Sequence, residues 1–296
     1  MQSLRYVIAA IALGGIAVWV SENWFWFMPP PGMNAFEFSI AWLAYSLAAA
    51  CALSAVIWTG VRGWPAAFLG GAMLGYLAEG VIVGTMYEGF PLQLVWTPLA
   101  WHGLMTGGVV LALPRAGFSP ARLALIWAVF GLFGAYWGQY WTFERVGLPD
   151  PVALAVYVGG LAGVVVIGHL VLDWLHDLPK PPIWVLCIAP FLMFMLWWYQ
   201  VIAAFVPQML AFPVLMALLF WAMWRLGKRA AGPDLGVPGG WTHGLFLIAP
   251  VIAVVLAPLG WAQGWGTLES NWITAVGWGI ASLVALGWMI WRAARV

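Results

Sequence analysis

The chain has 296 residues, 65% of them hydrophobic and only 7% charged, with a formal net charge of +1. So little polar surface excludes a soluble globular domain, and the near-neutral balance excludes the basic face that nucleic-acid binding needs. What remains is a membrane protein.

Ten stretches approach the ~20 apolar residues needed to cross a hydrocarbon core. They run over 4–22, 36–60, 65–86, 91–113, 120–141, 151–177, 182–205, 208–227, 241–260 and 273–292. The expected fold is an all-α polytopic membrane bundle, a single transmembrane domain over 1–296, with both termini cytoplasmic. The opening MQSLRYVIAAIALGGIAVWV has the basic start and apolar run of a signal peptide. Bulky Val18, Trp19 and Val20 make a poor cleavage site, so it reads as the first span. Cys51 and Cys187 lie in apolar runs and read as buried small hydrophobes.

The third and fourth spans carry the leading functional candidates. Glu79 lies in the third and His102 in the fourth, each roughly eight to eleven residues from the loop between them. At ~1.5 Å rise per residue they reach similar depth. An ionisable residue inside a bilayer is costly and faces a partner or a cavity. A carboxylate beside an imidazole can relay a proton, act as acid and base, or bind a cation. Gly71, Gly75, Gly80 and Gly84 on one side, with Gly103 and Gly107 on the other, permit close backbone approach. Pro98 removes one helical donor and leaves the Leu94 carbonyl free. Tyr76, Tyr87, Glu88, Trp96 and Trp101 are the expected lining of a solute path, joined from the fifth span and its loop by Tyr136, Gln139 and Glu144. The competing structural reading makes Glu79 and His102 a pair that holds two helices in register, and the tryptophans an interfacial belt.

Farther on, GHLVLDWLHDLPK at 168–180 puts His169, Asp173 and His176 at i, i+4 and i+7 on one helix face. These are transition-metal ligand types, but a site would need a further ligand, for which His243 is the spare histidine. The plainer expectation is a polar helix end entering the headgroups, with no metal. The loop 228–240, KRAAGPDLGVPGG, is the one polar Gly/Pro-rich connection, and no internal repeat is visible between the two halves.

Charge sets the orientation. With the N-terminus inside, Arg5, Arg62, Arg115, Arg122, Lys180, Arg225, Lys228, Arg229, Arg292 and Arg295 fall on the cytoplasmic side, and only Arg145 falls outside. Glu22, Glu37, Glu79, Glu88, Glu144, Asp150 and Glu269 lie on or toward the outer side, among stretches such as SENWFWF at 21–27 and GWAQGWGTLESNW at 260–272. Acidic groups over aromatic faces suit a cation. The expected location is a bacterial cytoplasmic (inner) membrane.

Two short stretches resemble known families. WGQYWTFE, Trp137 to Glu144, is similar over eight residues to the WGxxWxWD motif of the cytochrome c assembly haem-handling proteins. It departs at Phe143 and Glu144, where that family has Trp and Asp, and no outer-loop histidine is present to ligate haem. AEGVIVG at 78–84 followed by VWTPLAW at 95–101 is similar in rhythm to a segment of the membrane-bound carotenoid hydratases, without their intervening Phe-Gly and Tyr pattern. That resemblance implies an enzyme acting on an isoprenoid or lipid.

No Walker loop, HExxH or GxSxG is present, and the seventh span has no lysine for a retinal Schiff base. No motif names a cofactor. The leading expectation is a transporter for a small cationic or neutral amphipathic solute, with an outward-facing acidic and aromatic cavity. Its ten spans resemble the architecture of drug/metabolite transporters in span count, not in motif. Glu79 would be the coupling carboxylate and His102 its partner. The alternative is an intramembrane enzyme on a lipid or isoprenoid, with Glu79 and His102 as acid and base and Glu88 or Glu144 as a second carboxylate. A third class is a cofactor- or pigment-carrying subunit of a larger membrane complex. In each case membrane lipid and a small-molecule or lipid substrate are the expected partners.

Overall fold

The structure, a computed structural model, describes residues 1–24, 34–140, 150–230, 236–263 and 270–296; the side chains of 22, 23, 137–140, 261 and 270–275 also lie outside the description. The described residues form an all-α polytopic membrane bundle. Helix α1 is Gln2–Val18, continued by a π turn Trp19–Asn23. Helix α2 is Ala35–Thr59, and α3 is Gly63–Leu77, continued by a π turn Ala78–Ile82. Helix α4 spans Gln93–Arg115, α5 Pro120–Tyr140, α6 Pro151–Leu175 and α7 Ile183–Ala204. Helix α8, Ala211–Gly227, follows a 3-10 turn Pro207–Leu210; α9, Ile248–Gln263, follows a 3-10 segment Gly240–Leu247; α10 is Ser270–Ala294. Nine of these elements are long and apolar enough to cross a membrane, and the apolar part of α5, Pro120–Tyr136, is shorter.

Local signals set the ends. Asn34 caps α2: its side chain accepts from the Phe36 and Glu37 amides while Glu37 Oε2 accepts from the Asn34 amide at 2.9 Å. Gly60, at φ 71°, closes the same helix in the left-handed conformation that glycine adopts without strain. Asp150 caps α6 ahead of Pro151, and His176 at φ 59° ends it.

The interior lies at α1–α4. Helices α3 and α4 are buried over 72% and 67% of their spans, against 22% for the α10 span, so the functional candidates sit on the most enclosed elements. Lipid tails are as apolar as these side chains, so association rests on close packing and internal hydrogen bonds. The α3–α4 contact is close because it is made of glycine. A Cβ on Gly75 would collide with the Pro98 carbonyl and the His102 side chain, and one on Gly107 with the Ala67 carbonyl. Most of α4, Trp96–Ala112, is wound as a π-helix, where the sequence led us to expect an α-helix. Pro98 lacks an amide donor, and glycine spaced along the segment leaves the backbone free to widen.

Several outer tryptophans are interior, not a belt. Trp19 and Trp24 stack at 4.8 Å, and Phe246 meets both Trp19 and Trp127 edge-on at 4.8 Å, all fully buried. Cys51 is buried as expected, whereas Cys187 of α7 is exposed. Alternation of the helices gathers the basic residues of the described segments at one end. The Tyr6 hydroxyl on α1 donates to the Ala50 carbonyl in the second half of α2, and the Arg5 guanidinium donates to the Leu175 carbonyl at the end of α6. The last turn of α10 meets Arg62 and Arg229 there, so both termini lie at this arginine-rich end.

Candidate functional site

Glu79 and His102 meet. The Nε2 of His102 lies 3.4 Å from Oε1 of Glu79, with the two side chains 1% and 11% exposed respectively. Their approach follows from the backbone: Gly75, one turn before Glu79, lets α4 come close enough for the imidazole to reach the carboxylate. Two neighbours were not legible beforehand. The Thr85 hydroxyl, from the loop after α3, donates to Oε2 of Glu79, and the Tyr45 ring of α2 lies 5.9 Å from the His102 ring. His102 Nδ1 is buried and has no protein hydrogen-bond partner, so one face of this site keeps an unused donor or acceptor.

Glu79 sits in the π turn at the end of α3, and side chains from elsewhere satisfy the carbonyls beside it. The Tyr87 hydroxyl donates to the Gly80 carbonyl at 2.8 Å, and Gln200 Nε2 of α7 to the Val81 carbonyl at 2.7 Å. Burial pushes the Tyr87 phenol up to about 12, so it remains a donor through the neutral range. Such π turns recur at functional sites because they re-aim a side chain without ending the helix.

The other sequence candidates divide. The Tyr76 hydroxyl donates to the Leu94 carbonyl at 2.9 Å, the acceptor that Pro98 leaves without its usual amide. The Trp101 indole donates to the Val20 carbonyl at 3.0 Å and meets Trp96 edge-on at 5.6 Å. These residues brace the helices around the pair. Glu88 is exposed and Tyr136 half-buried. The Gln139 side chain and Glu144 lie outside the described residues.

A second cluster occupies the arginine-rich end. Asp173 of α6 pairs through Oδ1 with the Arg115 guanidinium of α4 at 2.8 Å. Its Oδ2 accepts from the amides of Gly239 and Gly240 at 3.0 and 2.9 Å, and lies 2.9 Å from His243 Nε2. Arg115 also donates to the His169 carbonyl at 2.8 Å, and the His169 and His243 rings stack at 4.5 Å. One carboxylate thus ties together α4, α6 and the segment before α9. Of the metal-ligand candidates, His169 and Asp173 belong to this cluster, whereas His176 is exposed at the helix end. Among the described residues no group of three or more His, Cys, Asp or Glu is arranged to hold a metal ion. The cation beside Asp173 is Arg115, which the sequence marked only for orientation.

Two apolar cavities flank α3. One of about 170 Å3 lies between α1, α2, α3 and α4, lined by Ala49, Leu53, Gly70, Leu74 and Thr106, with Arg115 at its basic end. On α4, Thr106 is about one turn from His102, so this cavity lies directly beyond the Glu79–His102 pair. The other, about 530 Å3, lies between α2, α3, α7 and α8, lined by Trp58, Met193, Trp197, Phe212 and Met216 among others.

Comparison of the chain with protein-family models, with curated proteins and with solved structures gave no match in any of the three.

Proposed function

We propose that this protein is a proton-coupled membrane transporter for a small amphipathic solute, cationic or neutral, working in a bacterial cytoplasmic membrane. The observation that carries this reading is the buried Glu79–His102 contact about one turn beyond a cavity within α1–α4, with Arg115, paired to Asp173, lining the cavity's other end. A path bracketed by two buried charge clusters has what alternating access requires: each cluster closes one side, and neither releases without a compensating charge.

In this reading Glu79 holds either a proton or the positive end of the solute, and His102 is the partner that it leaves. Nδ1 of His102, without a protein partner, is where a proton enters or departs. The cavity wall is apolar and fits the solute's body. At the other end Arg115 repels a cation unless Asp173 draws it aside, so a neutral solute passes that end most readily.

The test is flux. Protein in liposomes holding a pH-sensitive dye is offered a panel of amphipathic amines and neutral analogues, and solute-dependent proton movement is recorded for the unaltered chain and for Glu79→Gln.

One observation favours a second reading. The larger cavity, rich in methionine and aromatic rings, fits a lipid or isoprenoid chain of the kind an intramembrane enzyme would take. It opens on the α7–α8 side of α3, where Gly80 neighbours Phe212, while Glu79 faces His102 on the α4 side. The acid–base pair borders neither cavity, but Thr106, about one turn from His102, lines the smaller one, which favours the transport reading.

A further inference from the structure

The larger cavity, about 530 Å3, has an apolar wall and a polar end. The wall alone carries little, because methionine fills gaps in any helical bundle. The end toward the α7–α8 connection is different. There the Trp197 ring of α7 stacks on the Phe212 ring of α8 at 5.7 Å, and both rings line the cavity. Gln200 lies three residues after Trp197, and Gln208 four residues before Phe212. Each glutamine therefore neighbours one ring of the stacked pair, about one turn farther along.

Both side chains carry unused hydrogen-bonding capacity. Nε2 of Gln200 donates to the Val81 carbonyl at 2.7 Å, which fixes the amide and leaves Oε1 as an acceptor. That oxygen and Oε1 of Gln208 are buried and take no hydrogen bond from the protein. Leaving a buried acceptor without a donor costs more than the bond itself would contribute. The Tyr87 hydroxyl stands at the same end, since a Cβ on Gly80 would meet both it and the Phe212 ring. Its proton is already given to the Gly80 carbonyl, and the Trp197 indole adjoins its oxygen. The missing donor therefore comes from outside the chain.

The wall defines what carries that donor. Cys51, Met73, Met193, Phe194 and Met216 contribute to it, and no charged side chain is among the described residues that line it. Trp58, Phe194 and Phe220 line it and are also exposed, so it opens sideways in the apolar part of the bundle. Molecules that enter there come from the bilayer. An ammonium would lose its hydration without meeting a counter-charge, whereas a hydroxyl loses far less and brings both a donor and an acceptor.

We infer that this cavity binds a neutral long-chain alcohol from the membrane, its chain among the methionines and its hydroxyl between Gln200 and Gln208. The site requires neither the transport path nor any chemistry at Glu79.

Native mass spectrometry of the full chain in a neutral detergent tests it, with hexadecanol, its methyl ether and hexadecanoate titrated separately. Hexadecanol should bind about tenfold more tightly than the ether, which has no proton to give Gln200. Hexadecanoate, which brings a charge and no donor, should bind more weakly than the alcohol. Gln200→Leu and Gln208→Leu should each cut the alcohol's advantage over the ether by about threefold. Met216→Trp, which fills the cavity, should weaken alcohol and ether alike. Gln200→Leu also strands the Val81 carbonyl, so if that variant fails to fold, Gln208→Leu carries the test. Equal binding of alcohol and ether would overturn the alcohol assignment and leave the glutamines to water. An advantage that survives in the folded glutamine variants, or hexadecanol binding that Met216→Trp does not weaken, would overturn the site, as would no binding of hexadecanol at all.

Discussion

His102 of α4 reaches Glu79 of α3 at 3.4 Å across a helix contact built from glycine, and the carboxylate's other oxygen is taken by Thr85. If that contact is energetic, the two residues are coupled. A double-mutant cycle with Glu79→Gln and His102→Gln, read by thermal stability in detergent, should give a coupling of about 1–3 kcal/mol. Additive effects would show that the two groups stand near each other without interacting.

Tyr76 serves the carbonyl that Pro98 strands. Tyr76→Phe should therefore cost about 1–2 kcal/mol by leaving the Leu94 oxygen buried and unsatisfied. In a Pro98→Ala background the backbone supplies its own donor, and the same change should cost less than half as much. An equal cost in both backgrounds would mean that Tyr76 matters only for packing.

Glycine positions on α3 and α4 separate by what lies opposite them. Gly75→Ala and Gly107→Ala drive a methyl group into backbone and should each destabilise by about 1–3 kcal/mol or more. Gly70 faces the smaller cavity, where a methyl group would meet only Val56 at 3.5 Å. Gly70→Ala should be neutral, or stabilising by up to ~1 kcal/mol through helix propensity. Melting temperatures of the three variants decide the matter.

At the arginine-rich end, Asp173→Asn leaves the Arg115 guanidinium buried without its counter-charge. The expected loss is about 3–5 kcal/mol, with much of it recovered when Arg115→Met is added. A mild single-mutant effect, with no recovery in the double variant, would show that water already screens the pair.

How far the sequence carried these conclusions follows from the range of each interaction. Span positions were legible because hydropathy is a local property, and the shared end of the arginines because orientation selects for it. Glu79 and His102 were legible because charge inside an apolar run is conspicuous and depth is countable; the stranded Leu94 carbonyl was legible because Pro98 dictates it. Arg115, Asp173 and His243 come from three separate segments, and nothing local says that they meet. Thr85 looked like an ordinary loop residue, and the π winding of α4 depends on neighbours that a linear pattern does not hold. Trp101 and Tyr76 read as path lining because an aromatic side chain bracing two helices has the same local signature as one facing a cavity.

The most direct test of the transport account is proton flux in liposomes, driven by an amphipathic solute, for the unaltered chain beside Glu79→Gln. The account predicts solute-dependent flux that the variant loses on the order of a hundredfold while it keeps its fold and its position in the membrane. Flux that survives in a folded Glu79→Gln variant would contradict it, because Glu79 would then be a structural partner of His102 and the coupling would lie elsewhere.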